Sequence, residues 1–220
     1  MLGIDPIRFL QVLLVVFIAI DVHEFSHALA ATWLGDDLPA YQGRLTLNPL
    51  AHLDPLGTLL IVMSSLSGFG FGWGKPVQVN PVRLKYGPAV GMGIVAVAGP
   101  LSNLLMAVLA ALGYRIMFSF DLLTRGWFDF FLTFTLVNVG LAFFNLIPLF
   151  PLDGFRVALA LLRLVRGRTA LELAYRLEST AAYGPMLFLF LILADQILPF
   201  NILGTIIGIP AGWFIRLLLG

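Results

Sequence analysis

Residues 6–34 read PIRFLQVLLVVFIAIDVHEFSHALAATWL, an apolar run that carries a glutamate and two histidines within five residues. A hydrocarbon core is crossed by about 20 apolar residues in a helix, and this run supplies them with Arg8 as its only Lys or Arg. No small-residue cleavage site follows the run, so it reads as a retained helix and not as a removed signal peptide. The rest of the chain has the same character. Of its 220 residues 60% are hydrophobic and 11% are charged, whereas soluble globular chains carry roughly a quarter charged residues. The net charge of +1 comes without any Lys/Arg cluster interleaved with aromatics, which argues against a nucleic-acid partner. The chain has no cysteine, so disulfides and thiolate metal sites are excluded and any metal must be held by His and carboxylate.

Four further stretches are long and apolar enough to span: roughly residues 87–120, 127–150, 182–199 and 202–219. The expected fold is therefore all-α, a polytopic transmembrane bundle of about five spanning helices. It forms one membrane-embedded domain over residues 1–220, with a core at about 6–165 and C-terminal helices at about 180–219. Residues 56–66 are apolar but too short to span, and runs of that length are more often re-entrant or interfacial. A glycine-rich turn region follows at residues 68–74. In Lys75-Pro76-Val77-Gln78-Val79-Asn80-Pro81, two valines alternate with polar residues between prolines. That pattern suits a short edge strand or a small membrane-associated β-hairpin. Arg156, Arg163, Arg166, Arg168 and Arg176 share one connection, and Lys75, Arg83 and Lys85 precede the 87–120 helix. The positive-inside rule makes that side cytoplasmic. Ten of the thirteen Lys/Arg fall inside whether residues 56–66 span or re-enter, so charge leaves the direction of the first helix open.

His23-Glu24-Phe25-Ser26-His27 is an HExxH pattern within a helical run. Positions i and i+4 lie on one helix face, so both imidazoles can reach one Zn2+. Glu24 lies about 100° round the helix from His23, close enough to act as general base on a zinc-activated water without ligating the metal. An ionisable residue inside a membrane costs several kcal/mol and normally marks function. A catalytic zinc also needs a third protein ligand, and the candidates are His52 and carboxylates in apolar surroundings. Asp153 stands out in NLIPLFPLDG (residues 145–154), where two prolines interrupt the end of a spanning helix. Irregular backbone at membrane depth is tolerated where it lines a cavity. Asp153 equally suits the N-cap of a helix over residues 155–165, and position alone leaves both readings open.

Several stretches, taken in order, resemble the site-2 protease family of intramembrane zinc metalloproteases. They are HEFSH (23–27), NPLAHLDPLG (48–57), GKPVQVNP (74–81), AGPLSN (98–103) and the Asn145 to Gly154 stretch. The resemblance covers roughly residues 10–165 and looks like the compact branch without PDZ or CBS domains. It implies His23, His27 and Asp153 as ligands of one zinc per chain, Glu24 as the catalytic base, and hydrolysis of peptide bonds within or next to transmembrane segments. It also implies that Asn145 holds the substrate or polarises its carbonyl, an oxyanion-type role. Three ligands of one ion must share one depth. The first helix then enters from outside, residues 56–66 re-enter, and the site opens towards the cytoplasmic side of a bacterial or archaeal plasma membrane. The expected partners are the lipid bilayer and a membrane-protein substrate with a transmembrane helix.

His52 and Asp54 could orient a ligand, although Asp54-Pro55 also reads as an N-cap followed by an N1 proline. Gly99, Pro100 and Asn103, set among small residues, read as helix packing, and a helix over residues 155–165 with Arg156, Arg163 and Arg166 reads as an interfacial lipid anchor. Two other classes compete. A silent scaffold or pseudoprotease would be expected to lose Glu24 or a ligand, and a divalent-metal transporter should line a path with repeated ionisable residues, of which the spans carry almost none outside the HExxH helix and Asp153, with Asp195 as the main exception.

Overall fold

The computed structural model describes residues 5–66, 72–165, 167–197 and 201–220. Most of the glycine-rich turn (residues 68–71), Arg166 and Phe200 lie outside the described residues. Helix α1 (Pro6–Trp33) begins where Asp5 accepts the Ile7 N–H and Pro6 occupies the first turn. A short polar side chain there satisfies one of the orphan N–H groups, and proline fits because its own donor would go unused. Two one-turn helices, α2 (Leu38–Tyr41) and α3 (Pro49–His52), and the 12-residue α4 (Pro55–Leu66) lead to α5 (Pro88–Ser119). Helix α6 (Arg125–Asn145), capped by Thr124, completes the central trio with α1 and α5. It is followed by α7 (Asp153–Leu164), α8 (Arg168–Ser179), α9 (Gly184–Ile197) and α10 (Ile202–Leu219).

Five helical segments are long and apolar enough to cross a membrane: α1, α5, α6, the run Arg168–Asp195, and α10. The fourth differs from the expected 182–199 span, because helix already begins at Arg168 and continues through a 3-10 turn at Thr180–Tyr183 into α9. Asn201 caps α10, and the Asp195 carboxylate accepts the Leu203 N–H at 2.8 Å, tying α9 to α10.

Packing fixes the directions. Ala31 and Leu34 at the end of α1 meet Leu84, just before α5, and Val95 in its first half, while Val15 meets Ala110, so the two helices are antiparallel. Gln11 and Leu14 of α1 share a groove with Thr124 and Trp127 of α6, and Val16 and Ile20 pack with Val137 and Leu141, so those two are parallel. The end of α1, the start of α5 and the end of α6 therefore lie on one side. Leu34, where the chain leaves α1, and Leu84, where it enters α5, meet on that side, and α4 is not among the helices long enough to span. At about 1.5 Å per residue it is about 18 Å long, well short of a 30 Å core.

Among the described residues no sheet forms, and a single antiparallel bridge pairs Leu53 with Gly74. The segment expected as an edge strand is held at its ends instead. The Lys75 N–H donates to the His52 carbonyl at 2.7 Å, and the Asn80 N–H donates to the Asp36 carboxylate at 2.6 Å. Pro76 and Pro81 remove two donors from the segment, so the alternation of Val77 and Val79 does not make a ladder. Asp36 has no exposed surface and also accepts the Leu38 N–H, which fastens the turn after α1 to the segment entering α5.

Candidate metal centre

The i, i+4 spacing on α1 turns His23 and His27 the same way, with ring centroids 4.6 Å apart. Both are almost fully buried. Asp153 reaches them from α7, more than 120 residues further along the chain. Its Oδ2 lies 3.1 Å from His23 Nε2 and 3.3 Å from His27 Nε2. One ligand atom from each of the three lies within 4.8 Å of the others, an arrangement that could hold a metal ion.

Two local devices deliver Asp153. Because α6 runs parallel to α1, the chain emerging from its end arrives at the depth of the histidines. The residues from Leu146 to Leu152 then turn sharply, with Leu149 N–H bonding to the Ile147 carbonyl and Leu152 N–H to the Leu149 carbonyl, before α7 starts. Gly154 packs against the backbone of that turn; a Cβ there would stand 2.2 Å from the Leu146 carbonyl oxygen and 2.4 Å from that of Ile147. Asp153 is the first residue of α7, whose N-cap position is taken by Leu152 without a side-chain bond. The capping alternative is thus not realised: the carboxylate faces the imidazoles. Burial by itself favours its protonated form, but the facing His27 and His23 outweigh that and hold the carboxyl well below its usual range.

The other face of each imidazole is committed. His27 Nδ1 lies 2.8 Å from the Val95 carbonyl, which only accepts, so Nδ1 carries the proton. His23 Nδ1 lies 2.6 Å from Asn103 Oδ1. Both Nε2 atoms are left pointing at each other and at the carboxylate, the tautomer a metal requires. Gly99 of α5 leaves room for the rings: a Cβ there would lie 2.6 Å from His27 Nε2 and 2.7 Å from His23 Cε1. Two neutral imidazoles and a carboxylate form a donor set suited to zinc, and the residues present fit that ion.

Glu24, next to His23, is partly exposed on the side of α1 crossed by the Gly72–Gly74 backbone; a Cβ on Gly74 would come 3.4 Å from Glu24 Cγ. Asn145 ends α6, and its amide donates to the Leu141 carbonyl at 2.9 Å. His52 is turned away from the three. It is fully buried, 2.8 Å from the Thr46 carbonyl and 3.7 Å from the Asp21 carboxylate, a residue that had attracted no notice in the sequence. Asp54 accepts the Gly57 N–H at 2.8 Å, as a cap of α4 would. Asn103, expected to serve helix packing, joins α1 and α6 and also touches His23. The sequence hint was an amide one turn after Gly99, within the AGPLSN stretch.

Residues 114–192 match the model of Peptidase family M50, a stretch that holds Asn145 and Asp153 but not His23 or His27. The chain is 38% identical over 158 residues to YwhC of Bacillus subtilis (strain 168), named "Putative zinc metalloprotease", across 69% of each chain. Rip2 of Mycolicibacterium smegmatis, with the same description, is 32% identical over 168 residues, which span 69% of this chain and 59% of that protein. Rip2 of Mycobacterium tuberculosis is 28% identical over 158 residues, again 59% of its length. No solved structure matches the chain.

Proposed function

The chain belongs to peptidase family M50, the site-2 proteases, with zinc as its cofactor, and from that premise we propose that it hydrolyses peptide bonds within or next to transmembrane segments, with His23, His27 and Asp153 holding the zinc and Glu24 as general base. The observation that carries this reading is the meeting of Asp153 with both Nε2 atoms across 126 to 130 residues of sequence, at the end of helices long enough to span.

Zinc, when bound, supplies Lewis acidity that polarises the scissile carbonyl and acidifies water. The protein does the rest. Val95 and Asn103 keep the Nδ1 protons on the two histidines, so their Nε2 lone pairs face the site. Glu24 takes the proton of the attacking water as the new C–O bond forms, then hands it to the amine nitrogen as the C–N bond breaks. Asn145 holds the substrate: one amide hydrogen bonds Leu141, and the second is free to meet a substrate carbonyl. The extended segment between Gly74 and Asn80 offers backbone along which an unwound substrate can lie.

The substrate is a transmembrane helix of another protein, and the site opens to the cytoplasm. Arg44, Lys75, Arg83, Lys85, Arg156 and Arg163 lie in the connections on the site's side of the bundle and Arg168 and Arg176 in α8, at the start of the fourth apolar segment, whereas Arg8, Arg115 and Arg125 lie towards the other end. That imbalance supports the orientation. The test is cleavage of a panel of transmembrane substrates by purified wild type and Glu24→Gln, with zinc measured on both. General-base removal should slow cleavage by about 10²–10⁴-fold and leave zinc in place. Cleavage that persists in Glu24→Gln, or zinc that crosses liposomes carrying either protein, would overturn the reading.

A further inference from the structure

A line of buried amides runs from α6 through α5 to the metal centre. Asn138 Nδ2 lies 2.9 Å from the Phe134 carbonyl, Asn138 Oδ1 lies 2.9 Å from Asn103 Nδ2, and the same Nδ2 lies 3.0 Å from the Ala19 carbonyl. Asn103 Oδ1 then meets His23 Nδ1 at 2.6 Å. Neither asparagine has any exposed surface.

The direction of every bond follows from the two ends. Backbone carbonyls only accept, so the group Asn138 turns to Phe134 must be its NH2, and its oxygen must face Asn103. The group Asn103 turns to that oxygen and to Ala19 must likewise be its NH2. Its own oxygen is therefore the one facing His23, which requires the proton on Nδ1. Flipping either amide would set oxygen against oxygen in a place that water does not reach. Ala19 lies one turn before His23, so Asn103 grips both the imidazole and the helical turn that carries it.

We propose that Asn103, held in one orientation by Asn138, is a positioning residue that fixes the tautomer and aim of His23 and so sets the affinity of the site for zinc. The inference rests on the reading of His23 as a zinc ligand. Partners behind a metal-bound histidine typically change affinity by about 10–100-fold when removed. Asn138 hydrogen-bonds to Asn103 and the Phe134 carbonyl and to no proposed ligand among the described residues, so its effect on the site should pass through Asn103.

The experiment is chelator competition for zinc on the purified full-length protein in detergent micelles. Asn103→Leu should weaken zinc binding by about 10–100-fold, and Asn138→Leu by a smaller factor. In the Asn103→Leu background, Asn138→Leu should add nothing, because the orientation it enforces no longer exists; independent packing roles would multiply instead. Asn103→Asp keeps an oxygen that accepts from His23 Nδ1 but loses the donor to Asn138 Oδ1 and the Ala19 carbonyl, so it should hold zinc more tightly than Asn103→Leu and less tightly than wild type. It also serves if the Leu variant does not fold. In the zinc-free state, ring-nitrogen NMR shifts of His23 should show the Nδ1–H form in wild type and a mixture in Asn103→Leu. Wild-type zinc affinity in Asn103→Leu, or multiplicative effects of the two Leu variants, would overturn the proposal while His23→Ala still abolished binding. Undiminished binding by His23→Ala would instead bring down the ligand assignment, and this inference with it.

Discussion

Gly99→Ala adds one methyl group where α5 passes the two imidazoles, and the size of its effect can be worked from the contacts. The new Cβ would sit 2.6 Å from both Cε1 and Nε2 of His27 and 2.7 Å from Cε1 of His23. Ordinary contact begins near 3.4 Å, so the rings or the α5 backbone must give by about 0.8 Å. His27 cannot swing freely, since its Nδ1 is bound to Val95 on α5 itself, and His23 is held by Asn103 on the same helix. Overpacking of this kind costs about 1–3 kcal/mol, and a well-formed metal site keeps its ligand distances within about 0.2 Å of the usual values. Zinc affinity should fall by about 10–100-fold, since each 1.4 kcal/mol is a factor of ten. Chelator competition on the purified variant reads this directly, beside Gly140→Ala on α6, whose Cβ would meet nothing within 4 Å. The control should bind zinc as wild type does. Unchanged zinc affinity in Gly99→Ala would show that the rings do not hold these positions when metal is bound, and the geometric argument would fail.

Gly154→Ala should be more severe, because the Cβ would meet two backbone carbonyls with no flexible side-chain end to yield; a loss of about 3 kcal/mol is expected, read as a lower melting temperature together with loss of zinc. Asp36→Ala leaves the Asn80 N–H without its buried acceptor. It should cost about 2 kcal/mol of stability while zinc per folded molecule stays at the wild-type level, measured by melting and metal analysis on the same preparation.

The parts of the molecule legible in the sequence are those written in local pattern. HExxH fixes two side chains by helical geometry alone, and the length of each apolar run fixes the number of long helices. Asp153 could be singled out because two prolines and a glycine mark irregular backbone around it, but its choice between capping and facing the histidines is a long-range matter that only the parallel arrangement of α1 and α6 decides. Asn103 is legible only in part for the same reason: it does join α1 and α6, as an amide among small residues suggests, but its contact with His23 shows only once the helix behind it is known. Asn138, its partner, lies 35 residues further on and carried no signal at all. The alternation at Val77 and Val79 was true to a strand in pattern, yet a strand also needs a neighbour, and pattern does not supply one. That α1 runs parallel to α6 is likewise a matter of packing, which charge could not decide.

The most direct test of the central claim is zinc K-edge X-ray absorption on the purified protein, compared between wild type and Asp153→Ala. One zinc per chain with two imidazoles at about 2.0–2.1 Å and oxygen ligands at about 2.0–2.2 Å is expected in wild type, and the variant should retain little or no zinc. A shell of three imidazoles, or an unchanged spectrum and zinc content in Asp153→Ala, would contradict the assignment of Asp153 and move the third ligand elsewhere.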